Sequence, residues 1–314
     1  MATVSIIIPS YNHSGFLKER LNSIAKQTFI DWEAVIIDDN STDDSVSIIK
    51  EFLKNNSDFK VSQFIVNPEN SGSGYISWQK GIKLAQTKYI WIAETDDYSE
   101  PTFLEELVNI LEQDENISLA FCGSNYVENE EIIYDSTNRT KDLEVEKTKT
   151  KIIDSAVFLN QMPFNPYITN GSSVLFRKPN SEIPNQIFTH KQSSDIFLWS
   201  YLIQNKSFAY LNKNLNFFRR HQGSTTSILH KNNLEMIYYE KAKFLNYFGK
   251  THMYKEFIDH YIQHYIWNNK KDFLNISSIK TIQKEKNLKI IYFYTLTKFS
   301  FYKIFNCVIK IKKQ

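Results

Sequence analysis

A chain of 314 residues that is 42% hydrophobic and 23% charged has the apolar surface for one large domain or a domain with an appendage, which excludes a disordered class. Its 37 basic and 35 acidic residues nearly cancel to a net charge of +2, so composition offers no argument for a nucleic-acid partner. Cys122 and Cys307 stand far apart, without CxxC or Cys/His metal spacing, which fits a reducing compartment and no disulfide framework.

The opening "MATVSIIIPSYN" has no basic region before its apolar run and no cleavage-site pattern, so a secretory leader is not expected. No uninterrupted apolar stretch reaches the ~18 residues of a membrane span. The expected location is the cytoplasm.

Along the first hundred residues the apolar pattern alternates between two periods. "VSIII" (Val4 to Ile8) reads as a buried strand, and "SGFLKERLNSIAKQ" places Phe16, Leu17, Leu21 and Ile24 on one helical face. "WEAVIID" is a second strand, and "STDDSVSIIKEFLKN" a helix with Ser41 and Asp44 at capping-box spacing. "VSQFIV" as strand, "SGYISWQKGIKLAQ" as helix and "YIWIA" as strand repeat the unit. "PTFLEELVNILEQ" then reads as a helix beginning at Pro101, with Ser99 placed to cap it. This alternation predicts an α/β fold with a mostly parallel, Rossmann-like sheet and helices on both faces. Ligands bind such sheets at the carboxyl ends of the strands.

"ISLAFCGSNYVE" continues as a strand, whereas residues 129 to 151 are polar, charge-dense and expected to form a loop. "GSSVLFRK" reads as a strand, "SDIFLWSYLIQ" as a helix, and "FAYLNKNLNFFRRH" as one or two strands with a turn at "NKN". From about Lys231 the pattern is helical. The expected organisation is a catalytic-sized α/β domain over 1–228 and a helical extension over 229–314.

Chemistry concentrates at three strand ends. After "YIWIA" come Glu94, Asp96 and Asp97, whose mutual repulsion a shared divalent cation would offset. The bland alternative is that the two aspartates shape a turn and cap a helix. "IIPSYN" and "IIDDNS" end the first two strands, and adjacent strands would set Pro9, Ser10, Tyr11, Asp38 and Asp39 on the same rim. Tyr11 offers a flat face for a planar base, and Asp39 is surplus to turn formation. Neither GxGxxG nor GxxxxGK[ST] is present, so no glycine-rich loop cradles a phosphate. Asp195 precedes an apolar helix that Ser193 or Ser194 would cap equally well, which leaves Asp195 to cap or to act as a base. His221 follows an apolar strand end in "RRHQGSTT".

In order and spacing, "VSIIIPSYN", "SIAKQTFIDWEAVIIDDNSTDDS" and "ETDDYSEP" resemble family 2 glycosyltransferases of the GT-A fold, over roughly Thr3 to Ser227. The resemblance implies inverting transfer of a sugar from a nucleotide-diphosphate donor, a UDP-sugar above all. The acceptor would be a hydroxyl of a glycan or lipid-linked saccharide in surface polysaccharide, lipopolysaccharide or glycan assembly. It assigns Pro9, Ser10, Tyr11, Asp39 and Asp96 to the nucleotide, Asp96, Asp97 and His221 to Mn2+ or Mg2+, and Asp195 to the catalytic base. The chain departs from the family with Glu94 in place of the first aspartate of the carboxylate motif. It also carries "SWQKGI" where many relatives have an Arg-Asn pair, so Lys80 either faces a phosphate or lies on a helix surface.

Two readings compete with the enzyme. One is a non-catalytic nucleotide-sugar or carbohydrate-binding module on the same fold; the other is a nucleotidyltransferase, against which "PSYNHSG" lacks the glycine-rich basic loop. The last segment, "LKIIYFYTLTKFSFYKIFNCVIKIKKQ", interleaves lysines with aromatic and aliphatic residues. It reads either as a helix on a membrane surface, making the protein peripheral on the inner face, or as a helix docked on the catalytic domain.

Overall fold

Nearly continuous apolar runs become strands whose side chains are covered on both faces, as a parallel sheet requires. Val4–Ser10 (β1) is buried throughout, and Trp32–Asp38 (β2) nearly so. The computed structural model describes residues 2–162, 164–221 and 234–253, together with 256, 257, 297, 300 and 301. The remaining strands are Val61–Val66 (β3), Tyr89–Ile92 (β4), Tyr98–Ser99 (β5), Ile117–Glu128 (β6), Glu131–Asp135 (β7), Thr150–Asp154 (β8), Val174–Arg177 (β9) and Ser207–Arg219 (β10). Between them lie helices Ser14–Ala25 (α1), Ser45–Asn55 (α2), Gly74–Leu84 (α3), Phe103–Gln113 (α4), Thr137–Thr140 (α5), Ser155–Gln161 (α6) and Ser194–Leu202 (α7).

One ten-stranded sheet runs in the order β3-β2-β1-β4-β9-β6-β10-β5, with β7 added to β6 and β8 to β10. β3, β2, β1 and β4 are mutually parallel, as the alternating pattern predicts. β9 enters antiparallel between β4 and β6, and β10 lies parallel to β6, so the second half of the sheet is mixed. A core of Leu17, Leu21 and Ile24 from α1, Leu104, Leu107 and Leu111 from α4, and Ile6, Ile8, Ile36 and Trp91 from the strands closes one face. At roughly 1.5–3 kcal/mol per fully buried large apolar side chain, this layer fixes the strand register on which the site depends.

Several local expectations give way. Residues 129 to 151 are not a plain loop: β7 pairs with β6 and α5 follows, with β8 opening at Thr150. "NKN" does not turn; β10 is one strand that absorbs those residues as register shifts against β6 between Leu211 and Asn216. Ser41 does not cap α2, which starts at Ser45 after Asp44, without a side-chain cap bond; its hydroxyl goes to Asp38 instead. Ser99 lies in β5 and accepts from Gln27, while α4 begins at Phe103 behind Thr102. Phe16 is only half-buried and leaves the core face of α1, its ring 4.8 Å from that of His221.

The chain divides into two compact units, Met1–Ser224 and Thr225–Gln314. In the second, Leu234–Tyr247 is helical and Thr251–Met253 forms a single 3-10 turn. Ring contacts there join Tyr238 to Phe257 at 6.3 Å and Phe244 to Phe248 at 4.5 Å. Apart from 297, 300 and 301, the basic aromatic C-terminal segment lies outside the described residues, and with it the expectation of a membrane-surface helix. Among the described residues no helix is long and apolar enough to cross a membrane.

Candidate active site

The carboxyl ends of the parallel strands come level. Asp39 N donates to Ser10 O at 2.8 Å, Asn67 N to Asp38 O at 2.8 Å, and Ala93 N to Ile7 O at 2.8 Å, carrying the ladder one residue past each strand. Asn12 and Asn40 then take left-handed backbones, with φ of 51° and 62°, which turn both loops sharply at the rim. The loops are stitched together: Asn12 N donates to Ser41 Oγ at 2.9 Å, and Thr42 N donates to Asn12 Oδ1 at 2.8 Å.

Adjacent aspartates on this rim have different surroundings. Asp38 is spent on the loop, accepting from Ser10 Oγ at 3.1 Å, Ser41 N at 2.8 Å and Ser41 Oγ at 2.7 Å. Asp39 accepts from Asn67 Nδ2 at 2.7 Å, Ser71 N at 3.0 Å and Ser71 Oγ at 2.7 Å. Lys80 Nζ completes the chain by donating to Asn67 Oδ1 at 2.6 Å. Pro9 and Ser10 are buried in β1, and Tyr11 stands beside them 44% exposed. That exposed ring leaves a flat apolar face open at the rim.

The pair after β4 also divides. Asp97 is wholly buried and accepts from Ser172 Oγ at 2.6 Å, Asn170 Nδ2 at 2.8 Å and Arg219 N at 3.1 Å. The buried Arg20 guanidinium lies 3.9 Å away. Burial, then the neighbouring Asp96 charge, raises the Asp97 pKa to about 6. Asp96 faces the other way, its Oδ2 3.1 Å from His221 Nε2. Burial pushes Asp96 up, but the His221 hydrogen bond and the nearby His13 hold it below the usual carboxylate value. Glu94 accepts from Trp78 Nε1 at 2.7 Å, and burial followed by the charges of Asp96 and Asp97 raises it to about 8. Of the three acids, only Asp96 keeps a strongly ionised carboxylate toward the histidines.

A third group joins Asp96 and His221. His13, between β1 and α1, brings its imidazole to them, and ligand atoms of His13, Asp96 and His221 all lie within 4.8 Å of one another. Thr95 fixes the ring: its Oγ1 lies 3.1 Å from Pro9 O and 2.6 Å from His13 Nδ1, so a hydroxyl that donates to Pro9 O accepts from Nδ1–H. In that tautomer Nε2 of His13 carries the lone pair; burial lowers the pKa of the ring, which favours the neutral form. Two imidazoles and one carboxylate fit a divalent transition ion. Asp97, with its oxygens engaged by Asn170, Ser172 and Arg219, is not brought into that cluster.

Arg219 donates to Asp96 O at 2.8 Å and pairs with Glu19, its guanidinium 4.9 Å from the Phe16 ring centroid. Asp195 sits in the first turn of α7, and Tyr75 OH donates to its Oδ1 at 3.4 Å. Tyr75 meets Trp78 edge-on at 5.1 Å, and Trp78 lies so close over Gly171 that a Cβ there would stand 2.6 Å from the indole. Sequence reasoning missed His13, Asn67, Ser71 and Tyr75 as members of this region. "PSYNHSG" placed His13 next to a rim motif, but its partner His221 is too far along the chain for spacing to show the pairing.

The pattern of Glycosyl transferase family 2 matches residues 5–183. An uncharacterized glycosyltransferase of Methanocaldococcus jannaschii is 30% identical over 174 residues, which are 55% of this chain and 57% of that protein's length. The uncharacterized glycosyltransferase EpsJ of Bacillus subtilis is 25% identical over 268 residues, 82% of this chain and 74% of its own. Among solved structures, residues 1–349 of Staphylococcus aureus TarS superpose with a TM-score of 0.63 at 20% identity, over 94% of this chain and 87% of that one. The same part of TarS solved with UDP-GlcNAc gives a TM-score of 0.62 at 19% identity, over 94% and 88%. This likeness shows the GT-A fold.

Proposed function

Since the chain belongs to glycosyl transferase family 2, we propose that it transfers a sugar, with inversion, from a UDP-sugar to a hydroxyl of a glycan or lipid-linked saccharide. The process served would be assembly of a cell-surface polysaccharide, lipopolysaccharide or other glycan, on the cytoplasmic side of the membrane. One observation carries the reading: Tyr11 and Asp39 lie just past the carboxyl ends of the adjacent strands β1 and β2, and His13 and Asp96, from the loops after β1 and β4, meet His221 from the end of β10 in a cluster that could hold a divalent ion. Two TarS complexes, with UDP and with UDP-GlcNAc, add support for a uridine nucleotide on this fold.

In this mechanism Tyr11 stacks on the base, and Asp39 accepts from its N–H edge or from the ribose. His13, Asp96 and His221 would hold a divalent ion, Mn2+ rather than Mg2+ because two of the three ligands are imidazoles, and it would offset the charge that gathers on the departing diphosphate. Asp195 takes the proton of the acceptor hydroxyl as that oxygen attacks the anomeric carbon. Tyr75 fixes the Asp195 carboxylate by its 3.4 Å hydrogen bond. Phe16 packs between the Arg219 guanidinium and the His221 ring and helps hold that imidazole in place.

Incubation with a panel of nucleotide sugars and Mn2+ or Mg2+ tests the reading through release of nucleoside diphosphate. Release from at least one UDP-sugar, stopped by EDTA, is expected. Binding without turnover on any donor, with or without saccharide acceptors, would replace it with a non-catalytic nucleotide-sugar-binding module.

A further inference from the structure

Lysine only donates and an ionised carboxylate only accepts, so an asparagine amide between them has a single satisfactory orientation. Asn67 is in that position: its Oδ1 accepts from Lys80 Nζ at 2.6 Å and its Nδ2 donates to Asp39 Oδ1 at 2.7 Å. The three residues come from separate elements, Asp39 just after β2, Asn67 just after β3 and Lys80 inside α3. Ser71 N and Oγ hold the other carboxylate oxygen at 3.0 and 2.7 Å. Ser71 N also reaches Oδ1 at 3.2 Å, so three donors make four contacts with the carboxylate and hold it in one orientation.

We infer that Lys80 is a positioning residue for nucleotide recognition, acting through the Asn67 amide on Asp39 rather than touching a phosphate itself. The inference rests on the assignment of Asp39 to the donor nucleotide. Chain geometry supports the indirect route: Lys80 is half-buried and its ammonium is committed to the asparagine carbonyl. Its charge stands one residue removed from Asp39, where it polarises the amide and strengthens the bond that aims the carboxylate. Without Lys80 the amide still turns Nδ2 to Asp39 but loses the cation that anchors and polarises its carbonyl end.

The test compares binding of uridine and of UDP, in Mn2+, to wild type, Lys80→Met, Lys80→Arg, Asp39→Asn and the Lys80→Met/Asp39→Asn double variant. Lys80→Met should weaken uridine and UDP by the same factor, roughly tenfold, because the lost interaction is a charge-assisted hydrogen bond acting on the base site. Lys80→Arg, which keeps a cationic donor, should recover most of it. The double variant should bind no worse than Asp39→Asn, since both changes act on one contact. A loss confined to UDP, with uridine unaffected, makes Lys80 a phosphate ligand and overturns the inference, as does unchanged binding of both in Lys80→Met while Asp39→Asn weakens them. If Asp39→Asn itself binds both like wild type, the nucleotide reading of the rim fails instead.

Discussion

Asp97→Ala separates a structural carboxylate from a metal-binding one. Both side chains of the Arg20–Asp97 pair are 0% exposed, and Asp97 also satisfies Asn170, Ser172 and the Arg219 amide. Arg20 already has one buried nitrogen, NH1, without a hydrogen-bond partner. Truncating Asp97 removes the carboxylate paired with that guanidinium, which keeps its bonds to Glu94 O and Ser172 Oγ; breaking a buried pair costs about 3–5 kcal/mol. For a unit the size of Met1–Ser224, each kcal/mol lowers the melting temperature by roughly 2–4 °C, which gives a drop of about 6–20 °C. Circular-dichroism melts in EDTA measure it without interference from metal. Removing Arg20 as well, in Arg20→Ala/Asp97→Ala, should cost less than the sum of the single changes, because no unpaired charge remains. Were Asp97→Ala to melt within about 2 °C of wild type and lose Mn2+ binding instead, the buried-pair account would be wrong.

His13→Ala should lower Mn2+ affinity by roughly tenfold or more, read from the free-ion signal in electron paramagnetic resonance; unchanged affinity would remove His13 from the ligand set. Asp195→Asn should cut turnover by ~10²-fold or more with donor affinity nearly constant, whereas loss of affinity and melting temperature with turnover retained would make it a cap. Glu94 has a folded pKa of about 8, raised first by burial, so its contribution to stability is full below its unfolded value and fades as pH rises through 8. The urea midpoint of the metal-free protein should therefore fall from about pH 5 to about pH 8 and level off above, and Glu94→Gln should flatten that slope; a midpoint that rises over this interval contradicts the sign.

The parallel half of the sheet was legible because burial on both faces demands unbroken apolar runs, as in Val4–Ser10 and Trp32–Asp38. β7 was not, since all five of its residues are exposed and Ile132, Ile133 and Tyr134 carry no alternation that marks a buried face. β10 misled for a different reason: residues typical of turns at "NKN" were absorbed as register shifts within one long strand. At the site, sequence treats Asp96 and Asp97 as equivalents. Their difference comes from Arg20, Asn170 and Ser172 on one side and His221 on the other, contacts that span up to 125 positions. The same holds for Asp39, whose three donors lie in a loop that has no motif of its own.

A crystal structure of the protein with UDP and Mn2+ tests the central claim most directly. The account predicts the ion coordinated by His13, Asp96 and His221, the base against Tyr11 within hydrogen-bond reach of Asp39, and Asp97 still paired with Arg20. An ion bound to Asp97, or a nucleotide seated away from the carboxyl ends of β1 and β2, would contradict it.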